Sequence, residues 1–291
     1  MKSIKEEVEA VIKSTSSKQV KSISLIKLGL TKFEVNLLLG SMPKVSKTAK
    51  FNANTLTFGV EIECYNVIRD RIISEVEQRN IRIQSQGYNH ADSKEFYKIV
   101  SDCSIQGNNA NEIVSPILKG KQGENSLKAV CDSLNAIDAK VNKSTGLHVH
   151  FDASNLSDIH FVNIFKNYAK LEKVIDSFLP VSRRDNNNQF CRSFANHSFA
   201  ACETKEGVIR YLGSRYFKVN AESYLRHKTI EFRQHSGTTD YIKILNWINF
   251  LRKLIQFSFD SDIQECNSIN EIPFLTAKEK TYFTDRKNQL V

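Results

Sequence analysis

The sequence is poor in the patterns that build zinc knuckles, redox pairs and membrane spans. Its 291 residues include six cysteines and four prolines, and no two cysteines form a Cys-x-x-Cys pair. This spacing argues against a zinc knuckle or a redox pair, so we expect free, mostly buried thiols in a reducing compartment. No apolar run approaches the roughly 18 residues needed to span a bilayer, and the lysine- and glutamate-rich start does not resemble a signal peptide. We therefore expect a cytoplasmic protein without membrane contact.

Positive charge is concentrated at the amino terminus. The formal net charge is +9, and residues 1–50 hold ten lysines and four glutamates, a net charge of +6. A nucleic-acid partner would therefore have to bind through residues 1–50. Apolar spacing predicts helices at 2–13, 20–28 and 31–39. We favour a helical cap on the main domain over a helix-turn-helix that binds nucleic acid, because no side-chain pattern for reading bases is recognisable there.

The hydrophobic pattern predicts one large domain with short flanking regions. In that domain, strands alternate with tight turns and amphipathic helices, without the regular rhythm of a parallel sheet. We therefore predict an α+β fold, in which an antiparallel sheet carries helices on its apolar face. The predicted regions are a basic helical region at 1–42, a linker at 43–55, the main domain at 56–260 and a C-terminal tail or helix at 261–291.

Three short segments alternate an apolar residue with a metal- or phosphate-binding one. They are Gly-Val-Glu-Ile-Glu (59–63), Leu-His-Val-His-Phe (147–151) and Ile-Glu-Phe-Arg-Gln (230–234). Side chains two residues apart fall on the same face of a strand, so each segment predicts a strand with one apolar and one polar face. If the strands share a sheet, its polar floor carries Glu61, Glu63, His148, His150, Glu231 and Arg233.

Such a floor has an electrostatic cost. Carboxylates at i and i+2 lie about 7 Å apart, and in a partly buried cleft they repel by roughly 2 kcal/mol. A divalent cation offsets this repulsion, and carboxylate and imidazole ligands with open positions suit Mg²⁺ or Mn²⁺ that holds nucleotide phosphates. The alternative is a one-sided sheet whose polar face only meets water. Three such segments in one chain favour the metal site. The sequence has no Gly-rich phosphate loop of the Walker type, an absence that is consistent with this interpretation but is not evidence for it.

Further motifs accompany these strands. They are Asp-x-Ser (102–104) with Glu-Ile-Val-Ser-Pro (112–116), the pair Arg183-Arg184, and Arg215-Tyr216 followed by Asn220. Together with Gly-Leu-His-Val-His-Phe-Asp (146–152) and Thr-Ile-Glu-Phe-Arg-Gln (229–234), they resemble the putative amidoligase family. This family is a phage- and bacterium-associated branch of the carboxylate-amine ligases related to glutamine synthetase and glutamate-cysteine ligase. The resemblance covers roughly residues 55–258.

The resemblance implies a fold, a reaction and a set of roles. The fold is a glutamine-synthetase-like curved antiparallel sheet around an ATP and metal cleft, with helices on its outer face. In the reaction, ATP phosphorylates a carboxylate to an acyl phosphate, which an amine attacks to give an amide. Carried over onto matching positions, the ligands of Mg²⁺ or Mn²⁺ are Glu61, Glu63, Glu112, His148 and Glu231. His150, Arg215, Arg183 and Arg184 bind ATP, and Arg233 stabilises the transferring phosphoryl group. An amine nucleophile must also lose a proton, and we expect Asp102 to take that proton or to orient the ammonium group.

Two other functions stay open at this point. One is a non-catalytic protein, virion-associated or binding nucleic acid, that keeps the fold. The other is a metal-dependent hydrolase that works without a nucleotide. The resemblance implies a small-molecule or peptide carboxylate and an amine as substrates, with specificity in loops such as 82–98 and 185–210. If the chain is phage-encoded, it would act in the host cytoplasm; the sequence does not indicate an oligomeric state.

Overall fold

The computed structural model of the protein describes residues 4–30, 35, 39, 51–87 and 95–290. Two compact units divide the chain, Met1–Phe51 and Asn52–Val291. The described part of the first unit contains helices α1 (Ile4–Lys13) and α2 (Lys18–Lys27), close to the helices predicted at 2–13 and 20–28. Most of the helix predicted at 31–39 and most of the linker predicted at 43–55 lie outside the described residues.

A seven-stranded sheet forms the framework of the second unit. Its strands are β1 (Phe58–Cys64), β2 (Ile83–Ser85), β3 (Tyr97–Val100), β4 (Asn111–Val114), β5 (Gly146–Asp152), β6 (Val219–Asn220) and β7 (Thr229–Ser236). They lie in the order β2-β3-β4-β1-β5-β7-β6, and all pairs are antiparallel except β2 with β3. The fold is therefore mixed α and β with a mostly antiparallel sheet, as predicted, whereas the parallel edge strand β2 was not expected.

The helices in the described part of the second unit are α3 (Arg69–Glu77), α4 (Gly120–Ala136), α5 (Asp158–Ser177), α6 (Lys205–Leu212), α7 (Ser223–His227), α8 (Tyr241–Asp260) and α9 (Ala277–Asn288). The long helices α5 and α8 pack against the apolar face of the sheet, whereas the short α7 lies on the polar side, with Oγ of Ser223 3.3 Å from Nδ1 of His150. Tyr168 of α5 contacts Phe232 of β7, and Trp247 of α8 contacts His235. The α9 helix begins with a capping box between Thr276 and Glu279 and lies in the region predicted as a tail or helix.

Alternation on the three central strands separates an apolar from a polar face. The core-facing side chains are all at most 2% exposed: Val60, Ile62, Val149, Phe151, Ile230 and Phe232. Fully burying each of them contributes about 1.5–3 kcal/mol, and this fixes the register, because a slip of one residue would turn the apolar set outward. The residues between them must therefore face away from the helices.

A β-bulge adjusts this alternation where β5 meets β7. Leu147 pairs with His235 and Val149 with Phe232, so two residues of β7 lie opposite His148 alone. Those two residues are Arg233, which faces away from the helices, and Gln234, which is buried and accepts a hydrogen bond from the Tyr168 hydroxyl at 2.5 Å. The bulge thus turns two consecutive polar side chains toward opposite faces of the sheet.

The prediction of free, mostly buried cysteines is confirmed. All six cysteines are free, and five of them are buried, with Cys103 exposed. Across the described residues, no helix is both long and apolar enough to cross a bilayer.

Candidate active site

The polar face of the sheet is the floor of a cleft of about 950 Å³. Pairing across the strands aligns its side chains in rows. One row contains Lys98, Val114, Glu61, His148 and Arg233, and the next contains Gly59, His150, Glu231 and Asn220. The sheet therefore brings together the alternating residues of all three segments on which the sequence prediction rested.

Glu61 lies at the centre of this arrangement. Its Oε2 lies 2.8 Å from Nδ1 of His148, and its Oε1 lies 3.2 Å from Nε2 of His150. Glu231 approaches from the other side, with Oε1 3.6 Å from Nδ1 of His148. Glu61, His148 and Glu231 each offer a ligand atom within 4.8 Å of the other two. This spacing suits three ligands of one cation, each about 2 Å from it.

Neighbouring groups hold the outer carboxylates in place. Glu63 accepts a hydrogen bond from the backbone N–H of Gly146 at 2.6 Å, and its other oxygen lies 3.6 Å from Nε2 of His148. Glu231 accepts one hydrogen bond from Nη1 of Arg233 and another from Nδ2 of Asn220 at 2.6 Å. Arg233 is itself positioned, because its Nε donates to the Phe190 carbonyl at 3.2 Å.

The ionisation of the carboxylates reflects this crowding. Burial alone would raise the pKa of Glu61, but His150 and His148 hold it well below the usual value. Burial likewise opposes the charge of Glu231, whose pKa Arg233 and His150 nevertheless lower. Glu112 behaves differently: burial, Glu61 and Glu63 raise its pKa well above the ordinary value. The nearby cations therefore do not neutralise the whole cluster, and a bound divalent ion would relieve the excess negative charge.

In the absence of divalent ions, the free energy of unfolding should depend on pH through the protonation of His150. Burial lowers the pKa of His150, but Glu231 and Glu61 raise it above the ordinary value of 6.5. Because the pKa of His150 is raised in the folded state, its ion pairs stabilise the fold fully below pH 6.5. This stabilisation is lost as the pH rises through the raised pKa. Glu61 and Glu231 have pKa values below the ordinary value of 4.5. Their charges therefore stabilise the folded state above pH 4.5, and this stabilisation is lost as the pH falls through the lowered pKa values.

Urea denaturation in EDTA at a series of pH values checks this expectation. The wild type should exceed His150→Gln in stability at mildly acidic pH, and the difference should shrink as the pH rises. A difference that is constant from acidic to alkaline pH would contradict it.

The remaining predicted residues divide into two groups. Glu112, Asp102, Arg183 and Arg215 line the cleft. Asp102 stands in the loop after β3, where it accepts a hydrogen bond from the Ser104 N–H at 2.6 Å. Arg184 is not among the residues that line the cleft, and its Nε donates to the Leu179 carbonyl at 2.7 Å. The adjacent arginines therefore lie in different surroundings, Arg183 in the wall of the cleft and Arg184 against the Leu179 carbonyl.

Asn220 is a site residue to which the sequence prediction gave no role. It is 4% exposed, and while its Nδ2 donates to Glu231, its Oδ1 is buried without a hydrogen-bond partner in the described part of the chain. Since Glu231 is ionised, the amide N–H must face it, so the orphaned oxygen points elsewhere. Its place in the Arg215-Tyr216 motif was the available signal, but β6 is too short to show alternation.

Comparison with known proteins places these features in a family. No curated protein matches the chain. Among solved structures, the chain is similar to a bifunctional glutathione synthetase from Pasteurella multocida, with 15% identity and a TM-score of 0.41. That match covers 82% of this chain and 41% of the synthetase, so this chain spans less than half of that enzyme's length. A family model described as "Putative amidoligase enzyme" matches residues 54–255, more than half of the chain. The chain therefore belongs to the putative amidoligase family.

Proposed function

We propose that the protein is an ATP-dependent carboxylate-amine ligase. The observation that carries this proposal is the cluster of Glu61, His148 and Glu231 with Arg233 beside it, on the floor of one large cleft. Phosphoryl transfer needs charge neutralisation and alignment rather than covalent participation of the protein. Carboxylates that hold a metal ion, next to an arginine, supply both. Membership of the amidoligase family supports amide formation as the outcome.

The residues fit a hard divalent cation such as Mg²⁺ or Mn²⁺. Two carboxylates and an imidazole provide three ligands, and Glu63 and Glu112 stand next to them on the cleft floor. The buried, unsatisfied Oδ1 of Asn220 is a further oxygen acceptor beside Glu231. Oxygen-rich sites of this kind suit Mg²⁺ and Mn²⁺. When bound, the ion would act as a Lewis acid on phosphoryl oxygens and neutralise charge as it develops.

The protein side chains have distinct roles in the two chemical steps. In the first, an oxygen of the substrate carboxylate attacks the γ-phosphorus of ATP, ADP leaves, and Arg233 stabilises the transferring phosphoryl group. His150 and Arg215 bind the phosphates. In the second, the amine nitrogen attacks the acyl carbon, the bond between that carbon and the phosphate oxygen breaks, phosphate leaves with the electron pair, and Asp102 accepts the proton that the nitrogen releases. We also infer that the sheet is a glutamine-synthetase-like catalytic sheet, since one face carries the cleft and the other carries the long helices α5 and α8.

Product analysis tests the proposal. The protein is incubated with ATP, Mg²⁺ and pooled carboxylates and amines, and ADP and new amides are measured by mass spectrometry. ADP and an amide should form together only in the complete mixture. The isosteric variant Glu61→Gln should lower both by at least about 100-fold, since it removes a charge at the centre of the cluster. Glu222→Gln, also in the cleft wall, is the matched control. Hydrolysis of an amide or phosphoester without nucleotide would contradict the proposal and favour a metal-dependent hydrolase.

A further inference from the structure

Arg183 carries a buried guanidinium group in the wall of the cleft. The residue is 3% exposed, its Nη2 donates to the Thr145 carbonyl, and its Nη1 lies 3.8 Å from Sγ of Cys191. Its Nε is buried without a hydrogen-bond partner, and within the described ranges no carboxylate oxygen lies within 4.0 Å of the guanidinium. A buried cation without a counterion is strongly unfavourable. The position therefore suits a bound anion.

Arg233, a second arginine in the cleft whose side chain is 13% exposed, differs in this respect. It is paired with Glu231, so its charge is already compensated within the protein. Arg183 has no such pairing with any residue that the structure describes, yet it is held firmly, because its backbone carbonyl accepts a hydrogen bond from Nε2 of Gln234 at 3.2 Å. Arg183 is thus fixed in place and available for an external anion.

The space beside Arg183 borders the proposed metal ligands. A Cβ atom added to Gly146 would lie 2.9 Å from Nε2 of His148 and 3.4 Å from Nη2 of Arg183. The two side chains therefore both lie close to the Gly146 backbone, where an added side chain would collide with the His148 ring. Glu63 is anchored to the same backbone by the Gly146 N–H. An anion bound to Arg183 from the cleft would therefore lie near the residues that would hold the cation.

The two ends of the cleft differ in character. Arg183 and Asp102 lie near the carboxyl end of β1, where β5 begins and β3 ends. At the opposite end, the cleft is lined by Ile117 and Leu225, which are 53% and 60% exposed, respectively. Two exposed aliphatic side chains suit the faces of a flat nucleotide base, because covering apolar surface is favourable. A base at that end directs the phosphates toward the middle of the cleft and leaves the Arg183 end for the second ligand.

We propose that Arg183 binds the carboxylate group of the substrate that is to be activated. This assignment rests on the proposed function, and it differs from the ATP-binding role that the family resemblance implies for Arg183. Arginine suits the task because its planar fork can donate two parallel hydrogen bonds to a carboxylate. The carboxylate would thus be held beside the metal ligands, at the end of the cleft opposite the nucleotide base.

Two binding measurements separate a carboxylate from a phosphate at Arg183. Calorimetry measures the affinity for Mg²⁺ with AMP-PNP, and saturation-transfer NMR measures the binding of acetate in its presence, with acetamide as the uncharged comparison. Arg183→Gln should leave the AMP-PNP affinity unchanged and weaken acetate binding by at least about tenfold, because a charged hydrogen bond is lost. Arg192→Gln, at an arginine that is not among the residues lining the cleft, should change neither. Arg183→Lys, which keeps the charge, should give an intermediate acetate affinity and guards against a misfolded glutamine variant.

Failure of the Arg183 assignment can be distinguished from failure of the proposed function. Loss of AMP-PNP affinity in Arg183→Gln would overturn the assignment and return Arg183 to a phosphate-binding role. Acetate binding that is absent in the wild type, or equal in wild type and Arg183→Gln, would overturn it as well. Failure of the wild type to bind AMP-PNP with Mg²⁺ would instead contradict the ligase proposal.

Discussion

Replacing Arg233 by methionine should lower turnover by about a thousandfold or more, because an arginine that stabilises a transferring phosphoryl group contributes roughly 10³–10⁵ in rate. The guanidinium is held by the Glu231 carboxylate and the Phe190 carbonyl, so it is in place before substrates bind. Groups that are preorganised where charge develops act mainly on the transition state. The loss should therefore appear in kcat rather than in the affinity for the nucleotide.

Steady-state formation of ADP, with a substrate pair from the pooled assay, measures this loss. AMP-PNP affinity and thermal unfolding are followed in parallel, so that a binding or folding defect is recognised. Arg192→Met is the matched control, since the Arg192 guanidinium lies 4.4 Å from the centre of the Phe217 ring and is not among the residues that line the cleft. Arg233→Lys should recover only part of the rate, because lysine keeps the positive charge but lacks the planar set of N–H donors of the guanidinium. A loss of less than about tenfold in Arg233→Met would contradict the role of Arg233.

Replacing Lys218 by methionine should lower the free energy of unfolding by about 3–5 kcal/mol. The Lys218 side chain is fully buried, and its Nζ lies 2.6 Å from Glu172 and 2.7 Å from Asp176, both on α5. Without the lysine, two buried carboxylates lose their shared cation. A folded domain is typically stable by only about 5–15 kcal/mol, so this single change should remove a large share of the total.

Urea denaturation, with the midpoint and slope compared between variants, checks the expected loss. Lys128→Met is the matched control. Lys128 also forms a 2.6 Å ion pair, with Asp132, but the two side chains are 54% and 45% exposed. Exposed pairs of this kind contribute about 0.3–0.5 kcal/mol, so the control should change little. A loss below about 1 kcal/mol for Lys218→Met would indicate that the buried pairs are not a major source of stability.

The Lys218 network also connects stability to the cleft. Asp176 accepts a hydrogen bond from the Asp185 N–H at 2.9 Å, and Glu172 accepts one from the Phe194 N–H at 2.7 Å. These bonds anchor both ends of the segment 185–194, which supplies the Phe190 carbonyl to Arg233. The segment lies in one of the two loop regions expected to govern specificity. Its position is therefore fixed by Glu172 and Asp176, which belong to a helix on the opposite face of the sheet.

Alternation made the floor of the cleft predictable from sequence. A two-residue period needs no knowledge of distant contacts, so Glu61, His148 and Glu231 could be assigned to one face of their strands from local pattern alone. Pairing β1 with β5 and β5 with β7 then brought those faces together. The core residues between them followed from the same alternation, since the apolar set packs on one face of the strands while the polar set lies on the cleft face.

Features that depend on tertiary contacts could not be predicted in this way. The bulge that turns Arg233 and Gln234 to opposite faces is a property of strand pairing. Arg183 and Arg184 are adjacent in sequence, but a short 3-10 helix at Val181–Arg183 directs only the first into the cleft wall. Lys218 would be expected at the surface, because lysine is rarely buried unless its charge is paired. Its two partners lie more than 40 residues away in the chain, on a helix.

The identity of the cleft as a metal and nucleotide site is tested most directly by anomalous scattering from Mn²⁺ in crystals grown with AMP-PNP. The proposed function predicts an Mn²⁺ peak within about 2–2.5 Å of ligand atoms from Glu61, His148 and Glu231, with the terminal phosphate of the nucleotide facing Arg233. A peak outside the cleft, or a nucleotide bound away from these residues, would contradict it.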